Sequence, residues 1–349
     1  MPTNDDILSL LEEKGAQAAR EAQRAVILQP GALGDCILTL PLVRLMKETL
    51  DLGGVDLVGH VEYVGILPER TFVDGIRSID STELHRLFTE PARFELADHD
   101  PLINMFADYA WIVSFLGEAG SDFEQNLIFT ANCSHSAEII TLPLKPPEGT
   151  KQHISDFYVE QFAAESGLTA ERRAGEETPV RIRVTEADRD AGVELLDHAG
   201  VDLSKRLVVI HPGSGGKGKC WHLDNFLSVT EQLHRRGFEV VLLLGPAEIE
   251  RFRPAEKVHM HSVARCLAHL SLAQVVGLLA CADAYLGNDS GVTHLAAALG
   301  LRTIAIFGPS DPDVYRPQGR AVTVLRDTSD AFADKPNHAM QQSVLSSVP

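Results

Sequence analysis

The sequence predicts an α/β chain built as two doubly wound halves, each an open, mostly parallel sheet. Three observations carry this. Short apolar runs of buried-strand type alternate with helical patterns along the chain, which is the βαβ rhythm of a parallel sheet. The rhythm restarts after a polar crossing segment, with Leu207–Ile210 taking the part that Ala25–Leu28 takes earlier. The chain's 349 residues suffice for two domains of ordinary size, each with its own core.

Residues 5–23 read as an amphipathic helix with Ile7, Leu8, Leu10 and Leu11 on its apolar side, so 1–23 is expected to be an N-terminal helical appendage. The first half is expected over 24–185. It opens with a strand at Ala25–Leu28, the loop Pro30-Gly31-Ala32-Leu33-Gly34-Asp35 and a helix to Leu50. Strands follow at Val55–Val58 and Gly75–Ile79, a helix at Thr82–Phe88, a strand at Ala110–Phe115, a helix near Asp122–Thr130 and a strand at Ala137–Leu142. Helix Ile154–Ser166, the Glu- and Arg-rich stretch Thr169–Thr178 and a strand at Val180–Val184 make the crossing. The second half, 186–325, runs through helix Glu186–Ala199, strand Leu207–Ile210, helix Asp224–Arg236, strand Glu239–Leu244 and helices near Ala247–Arg253 and at Leu272–Ala282. Strand Ala284–Leu286, a polar turn and strands Thr303–Phe307 and Val322–Leu325 complete it. The tail, 326–349, is polar and shows no core face; it is expected to be loosely ordered. Doubly wound sheets bind ligands at the carboxyl ends of their strands, so the loops after Leu28, Ile210, Leu244 and Leu286 are expected to converge on a central cleft that the two halves face.

Composition narrows the function. Hydrophobic residues make up 44% and charged ones 23%, as in globular proteins, and the formal net charge of −18 opposes binding to nucleic acid or to anionic lipid over most of the surface. The acidic start, with Asp5, Asp6, Glu12 and Glu13, does not fit a secretory signal, and the longest apolar stretch, near Leu270–Ala282, is too short to span a bilayer. Cys36, Cys133, Cys220, Cys266 and Cys281 are scattered without CxxC spacing, as reduced thiols are. A cytoplasmic protein is expected, with at most peripheral association at the inner face of the membrane.

Four loops carry candidate chemistry. Gly287-Asn288-Asp289-Ser290-Gly291-Val292-Thr293-His294 reads as a strand end, a tight turn and a helix start, where unpartnered backbone N–H groups and a partial positive charge seat an anion. Asp289 or Ser290 is positioned to cap, and Gly291 to admit a ligand close to the backbone. His294, four residues after Ser290, shares its helix face, as ligand or as packed core residue. The loop His211-Pro-Gly-Ser214-Gly215-Gly-Lys217-Gly-Lys219-Cys220-Trp221 matches GxGxxG and most of a P-loop. A P-loop requires Ser or Thr where Cys220 stands and a helix that begins at once, whereas the cap expected here is Asp224. What survives is a glycine-rich anion loop with lysine charge. Asp35 begins a helix behind two glycines, as N-cap or as general base. Glu248 follows Gly245-Pro246, as a first-turn glutamate or as the acceptor of two hydrogen bonds from a ribose diol.

In order, Pro30-Gly-Ala-Leu-Gly-Asp35-Cys-Ile-Leu-Thr-Leu-Pro41, His211-Pro-Gly-Ser214 with Lys219 and Trp221, Leu244-Gly-Pro-Ala-Glu248, Gly287–His294 and Gly308-Pro-Ser-Asp-Pro312 resemble glycosyltransferase family 9, the ADP-heptose lipopolysaccharide heptosyltransferases. The resemblance spans roughly Ala25–Leu325. It implies a GT-B fold, two Rossmann-like domains with the donor nucleotide on the second, and inverting transfer with no catalytic metal and no cofactor beyond the ADP-sugar co-substrate. By the same resemblance Asp35 is the base that activates the acceptor hydroxyl. Ser214, Gly215 and Lys219 lie on the diphosphate, Glu248 on the ribose, and Asp289, Ser290, Gly291 and His294 form the phosphate and sugar seat. The acceptor it implies is a glycan or lipid-linked saccharide.

Between Asp51 and Thr150, in the half expected to receive the acceptor, seventeen acidic side chains stand against five basic ones (Arg70, Arg77, Arg86, Arg93 and Lys145). That sign disfavours a phosphorylated lipid core and favours a neutral or weakly charged acceptor, a glycan or glycosylated protein. By the resemblance, residues Ser343–Pro349 are expected to stop where relatives usually continue into a closing helix. Two other readings compete with transfer: a family member that binds the nucleotide-sugar without turnover, and a P-loop NTPase or kinase using Gly213–Lys219.

Overall fold

The computed structural model describes residues 23–168, 181–327, 329 and 332–348. The expected helix over 5–23, apart from residue 23, and the polar stretch 169–178 lie outside the described residues. The chain divides into two compact units: one takes the described residues of Met1–Ala32, Thr39–Glu148 and Ser155–Arg173, the other those of Leu33–Leu38, Gly149–Ile154 and Ala174–Pro349. This is not a single cut after residue 185. The second unit draws in the short segment that carries Asp35.

In the first unit the apolar run at the start of the chain becomes β1 (Arg24–Leu28), with Ala25 to Leu28 fully buried. It leads to α1 (Leu33–Thr49), β2 (Gly54–Gly59), α2 (Val61–Val64), β3 (Gly75–Ser78), α3 (Pro101–Phe106), β4 (Tyr109–Ser114), α4 (Asp122–Ala131), β5 (Glu138–Thr141) and α5 (Ile154–Ser166). The strands are parallel in the order β3-β2-β1-β4-β5. Val26, Leu28, Val58 and Ile112 of the sheet pack with Phe106, Phe123 and Leu127 on one face. The helix expected at Thr82–Phe88 is instead a run of 3-10 turns, Ile79–Ser81, Leu84–Phe88 and Pro91–Arg93. Pro91, which cannot continue a helix, helps to break the segment into pieces.

The second unit contains α6 (Glu186–His198), β6 (Leu207–His211), α7 (Leu223–Arg235), β7 (Glu239–Leu244), α8 (Pro246–Arg251), α9 (Pro254–Val263), β8 (Arg265–Ala268), α10 (Leu272–Ala280), β9 (Ala284–Asn288), α11 (Gly291–Ala298), β10 (Arg302–Phe307), α12 (Pro312–Tyr315), β11 (Val322–Arg326) and α13 (His338–Ser347). Its parallel strands lie in the order β11-β10-β9-β6-β7-β8. The order reverses between β6 and β9, so ligand chemistry belongs at the carboxyl ends of those two strands.

Two expectations fail here. Residues 181–184 form no strand; the Ile182 N–H bonds instead to the Ala298 carbonyl, 2.9 Å away. The tail is not loosely ordered. Met340, Val344 and Leu345 fall on one face of α13 and join Phe332 and Val348 in the core around Phe226, Val229 and Leu233 of α7. Asn337 caps the helix at the Met340 N–H (3.1 Å), and Arg236 binds the Leu345 carbonyl at its far end (2.7 Å). The face was invisible in a polar sequence because three apolar residues suffice once α7 offers them a surface.

Candidate active site

At the switch point, β6 and β9 are hydrogen-bonded neighbours with His211 opposite Gly287. Past β9 the chain turns through Asp289 and Ser290 into α11. Ser290 takes the N-cap position in extended backbone (φ −154°, ψ 160°), but its side chain makes no cap bond and lies 3.1 Å from the Thr293 hydroxyl. Asp289 does not cap either. Its carboxylate receives the Lys219 ammonium at 2.9 Å and stands 3.7 Å from His294 Nε2. Burial pushes the Asp289 carboxyl up, yet the His294 imidazole and Lys219 outweigh it and hold the group well below the usual carboxylate range. Asp289 is therefore a fixed anion that aims a lysine and a histidine. His294 is buried, and its Nδ1 has no hydrogen-bond partner among the described residues.

The loop after β6 does not fold as a P-loop. Lys217–Lys219 make one 3-10 turn, Trp221 is buried, and α7 starts at Leu223 with His222, not Asp224, as its N-cap; His222 Nδ1 accepts from the Asp224 N–H at 3.3 Å. Ser214 is buried, and its hydroxyl donates to the Asp289 carbonyl at 2.7 Å. Gly215 is exposed, with nothing within 4 Å of where a Cβ would stand.

Glu248, in the first turn of α8, is 3% exposed, and its Oε2 accepts from the Gly245 N–H at 2.9 Å. Its carboxylate explains Gly213, where a Cβ would stand 1.9 Å from Glu248 Cδ. His211 Nδ1 lies 2.9 Å from the Leu243 carbonyl, which only accepts, so Nδ1 carries a proton and Nε2 faces Glu248 at 4.0 Å.

Gly291 has a reason other than ligand access. A Cβ there would stand 2.8 Å from Leu33 Cβ and 3.1 Å from the Gly34 nitrogen. Leu33–Leu38 groups with the second unit, which brings the first turn of α1, and with it Asp35, to the start of α11. Tyr315, on α12, feels Lys219, Asp35 and Asp289 together; burial raises its hydroxyl, Lys219 opposes, and both carboxylates add to the rise.

Sequence reasoning missed three side chains. Asn288 is fully buried; its amide donates to the Pro212 and Gly213 carbonyls (2.9 and 3.2 Å) and its oxygen accepts from the Trp221 N–H (2.8 Å), tying the β6 loop to the β9 turn. Arg251 reaches the same loop from α8, and Tyr315 joins the charged group. For Arg251 the signal was present: it lies three residues after Glu248 and so shares its helix face. For a cation, among the described residues, His60, Glu62 and Asp80 bring ligand-type atoms within 4.8 Å of one another in the first unit. There His60 Nδ1 already lies 3.0 Å from Asp80 Oδ2, as in an ordinary ion pair.

The model of "Glycosyltransferase family 9 (heptosyltransferase)" matches residues 156–344, more than half of the chain and nearly all of the unit that holds this site. The chain belongs to glycosyltransferase family 9. As a glycosyltransferase it is 22% identical over 306 residues to lipopolysaccharide heptosyltransferase 3 of Escherichia coli, covering 81% of this chain and 83% of that one. It superposes on the E. coli ADP-heptose lps heptosyltransferase II with a TM-score of 0.66 and 18% identity, covering 93% and 97% of the two chains. For the E. coli heptosyltransferase WaaC with ADP the TM-score is 0.62 at 17% identity, covering 93% and 100%. At these identities the structures establish the fold, which is GT-B with two Rossmann-like units. Among the described residues, no helix of the glycosyltransferase is long and apolar enough to cross a membrane.

Proposed function

We propose that this glycosyltransferase moves heptose from an ADP-sugar to a saccharide acceptor, with inversion and without a metal ion. One observation carries the reading: the Lys219–Asp289 ion pair stands beside His294 at the start of α11, whose first turn has no side-chain cap, at the switch point of the sheet. That array suits the diphosphate. Glu248, in the first turn of the helix that follows β7, then meets the ribose. The relatives named for heptose, one of them solved with ADP, support the nucleotide and the sugar.

In the reaction the acceptor hydroxyl attacks the anomeric carbon as Asp35 takes its proton. The bond from that carbon to the diphosphate oxygen breaks, and its electron pair leaves with ADP. Lys219, the α11 backbone N–H groups and His294 stabilise the charge that grows on the leaving oxygen, the work a metal ion does elsewhere. Attack opposite the leaving group inverts the anomeric centre. The acidic balance of residues 51–150 favours a neutral or weakly charged saccharide as acceptor.

Calorimetry with ADP, UDP, GDP and ATP, with magnesium or with chelator, tests the donor side; ADP selectivity that survives chelation is expected, and strict magnesium dependence with ATP preference would overturn it in favour of an NTPase. Asp35→Asn is expected to retain ADP affinity and to lose transfer by about 10²–10⁴-fold. Unchanged transfer removes Asp35 from the mechanism. Transfer to phosphorylated lipid A core with neutral saccharides ignored would refute the acceptor reading.

A further inference from the structure

We propose that Arg251 is a positioning residue for the loop Ser214–Lys219, and that through this loop it sets the enzyme's affinity for the diphosphate part of the donor. This rests on the reading that Ser214 and Lys219 face the diphosphate. Arg251 ends α8, the helix that carries Glu248 in its first turn. Its Nη2 donates to the Ser214 carbonyl at 3.2 Å and its Nη1 to Cys220 Sγ at 3.2 Å. Ser214 opens the glycine-rich segment and Cys220 closes it, so one guanidinium fastens both ends. The Cys220 thiol also lies 3.5 Å from the Gly216 carbonyl and 3.9 Å from that of Ser214, drawing the segment into a closed loop beneath the guanidinium. Burial pushes this thiol up, against the pull of Arg251, so the sulfur accepts as a neutral group.

Asp289 holds the Ser214 hydroxyl and the Lys219 ammonium, but the glycines between them make few contacts of their own. Nothing lies within 4 Å of a Cβ at Gly215 or Gly218, and the turn at Lys217–Lys219 is held by backbone bonds from Lys219 N–H to the Gly216 carbonyl (3.0 Å) and from Cys220 N–H to the Lys217 carbonyl (3.1 Å). Glycines give such a segment wide conformational freedom, and Arg251 restricts it where the lysine departs. A planar fork with donors in fixed directions reaches two acceptors at once, which a single ammonium does not reproduce. Because the fork belongs to the Glu248 helix, the ribose contact and the diphosphate contacts stay in register.

The test titrates ADP and, by competition, adenosine into the full-length wild type, Arg251→Gln, Arg251→Lys and Cys220→Ala. Arg251→Gln is expected to weaken ADP roughly 5- to 30-fold, a part of the worth of a hydrogen bond to a charged donor because Arg251 acts through the loop and not on the nucleotide, while adenosine changes less than about twofold. Arg251→Lys recovers only part of the loss, and Cys220→Ala, which removes one of the two acceptors, shows a smaller loss of the same ADP-selective kind. In turnover the donor KM rises more than kcat falls. Equal weakening of ADP and adenosine would make Arg251 a mere support of α8, and unchanged ADP affinity would remove it from the site; either result overturns the proposal. Should Arg251→Gln not fold, Cys220→Ala and Arg251→Lys decide by the same selectivity. A wild type that binds no ADP refutes the functional reading itself, whereas a wild type that binds ADP beside indifferent variants refutes only the role of Arg251.

Discussion

Replacing Asn288 by alanine isolates the join between the two loops of the donor site. Asn288 is fully buried and makes three hydrogen bonds, two donated to the Pro212 and Gly213 carbonyls and one accepted from the Trp221 N–H. Alanine leaves the Trp221 N–H without its acceptor, at a cost of ~1–3 kcal/mol, and removes a donor from each of two carbonyls, which tolerate this better because each has a second lone pair. A small cavity adds to the loss. The expected destabilisation is about 3 kcal/mol, a large fraction of a typical total of 5–15. Asn288→Asp keeps the shape and the acceptor for Trp221 but turns a carboxylate toward two carbonyl oxygens, so it is expected to cost at least as much. Urea unfolding followed by Trp221 emission in a Trp111→Phe background reads the second unit directly. ADP affinity is expected to fall alongside, since Lys219 rides on the released loop. A change below about 0.5 kcal/mol for both variants, the level of an ordinary surface substitution, would refute the reasoning.

Three further outcomes are expected. Leu345→Ala should destabilise the protein by about 2–4 kcal/mol in urea unfolding, because α13 contributes this side chain to the core of the second unit; a negligible effect would restore the loosely ordered tail. Gly213→Ala, whose Cβ would collide with Glu248, should lower ADP affinity at least about tenfold by displacing the carboxylate, and an unaffected titration would separate Glu248 from the nucleotide. In the first unit, hydrogen bonds from Arg86 hold the Asp100 carboxyl down at about 2 against the opposing effect of burial. A folded value below the unfolded one means that this stabilisation is complete above about pH 4 and is lost as pH falls toward 2. Asp100→Asn should therefore be less stable near neutrality and show a flatter acid limb in that window, and an unchanged limb would count against the pair.

The βαβ rhythm was legible because buried central strands such as Ala25–Leu28 and Leu207–Ile210 announce themselves as continuous apolar runs. The edge strand β8 was not. Its residues Arg265-Cys-Leu-Ala268 are half-buried or exposed and hold an apolar run of only three residues, so pairing with β7 is what makes them a strand. The face of α13 was hidden for the same reason, since Met340, Val344 and Leu345 have meaning only against α7. The strand-turn-helix at Gly287–His294 could be read directly, yet which of its side chains would cap could not. Asp289 and Ser290 both suit a cap locally, and both are claimed by other partners, Asp289 by a lysine seventy residues away and Ser290 by the Thr293 hydroxyl.

The sequence by itself determined the kind of chemistry at each loop: the anion-seeking helix start, the lysine beyond the glycines, the carboxylates at Asp35 and Glu248. These follow from residue type and from backbone hydrogen bonding a few residues along the chain, which is local physics. Tertiary structure alone decided the partners. Lys219 is aimed by Asp289, Gly213 is required by Glu248, Gly291 by Leu33, and Asn288 and Arg251 tie the loops together. Those choices depend on which strands lie side by side, and strand order is set by packing between elements far apart in sequence, where local pattern carries no information.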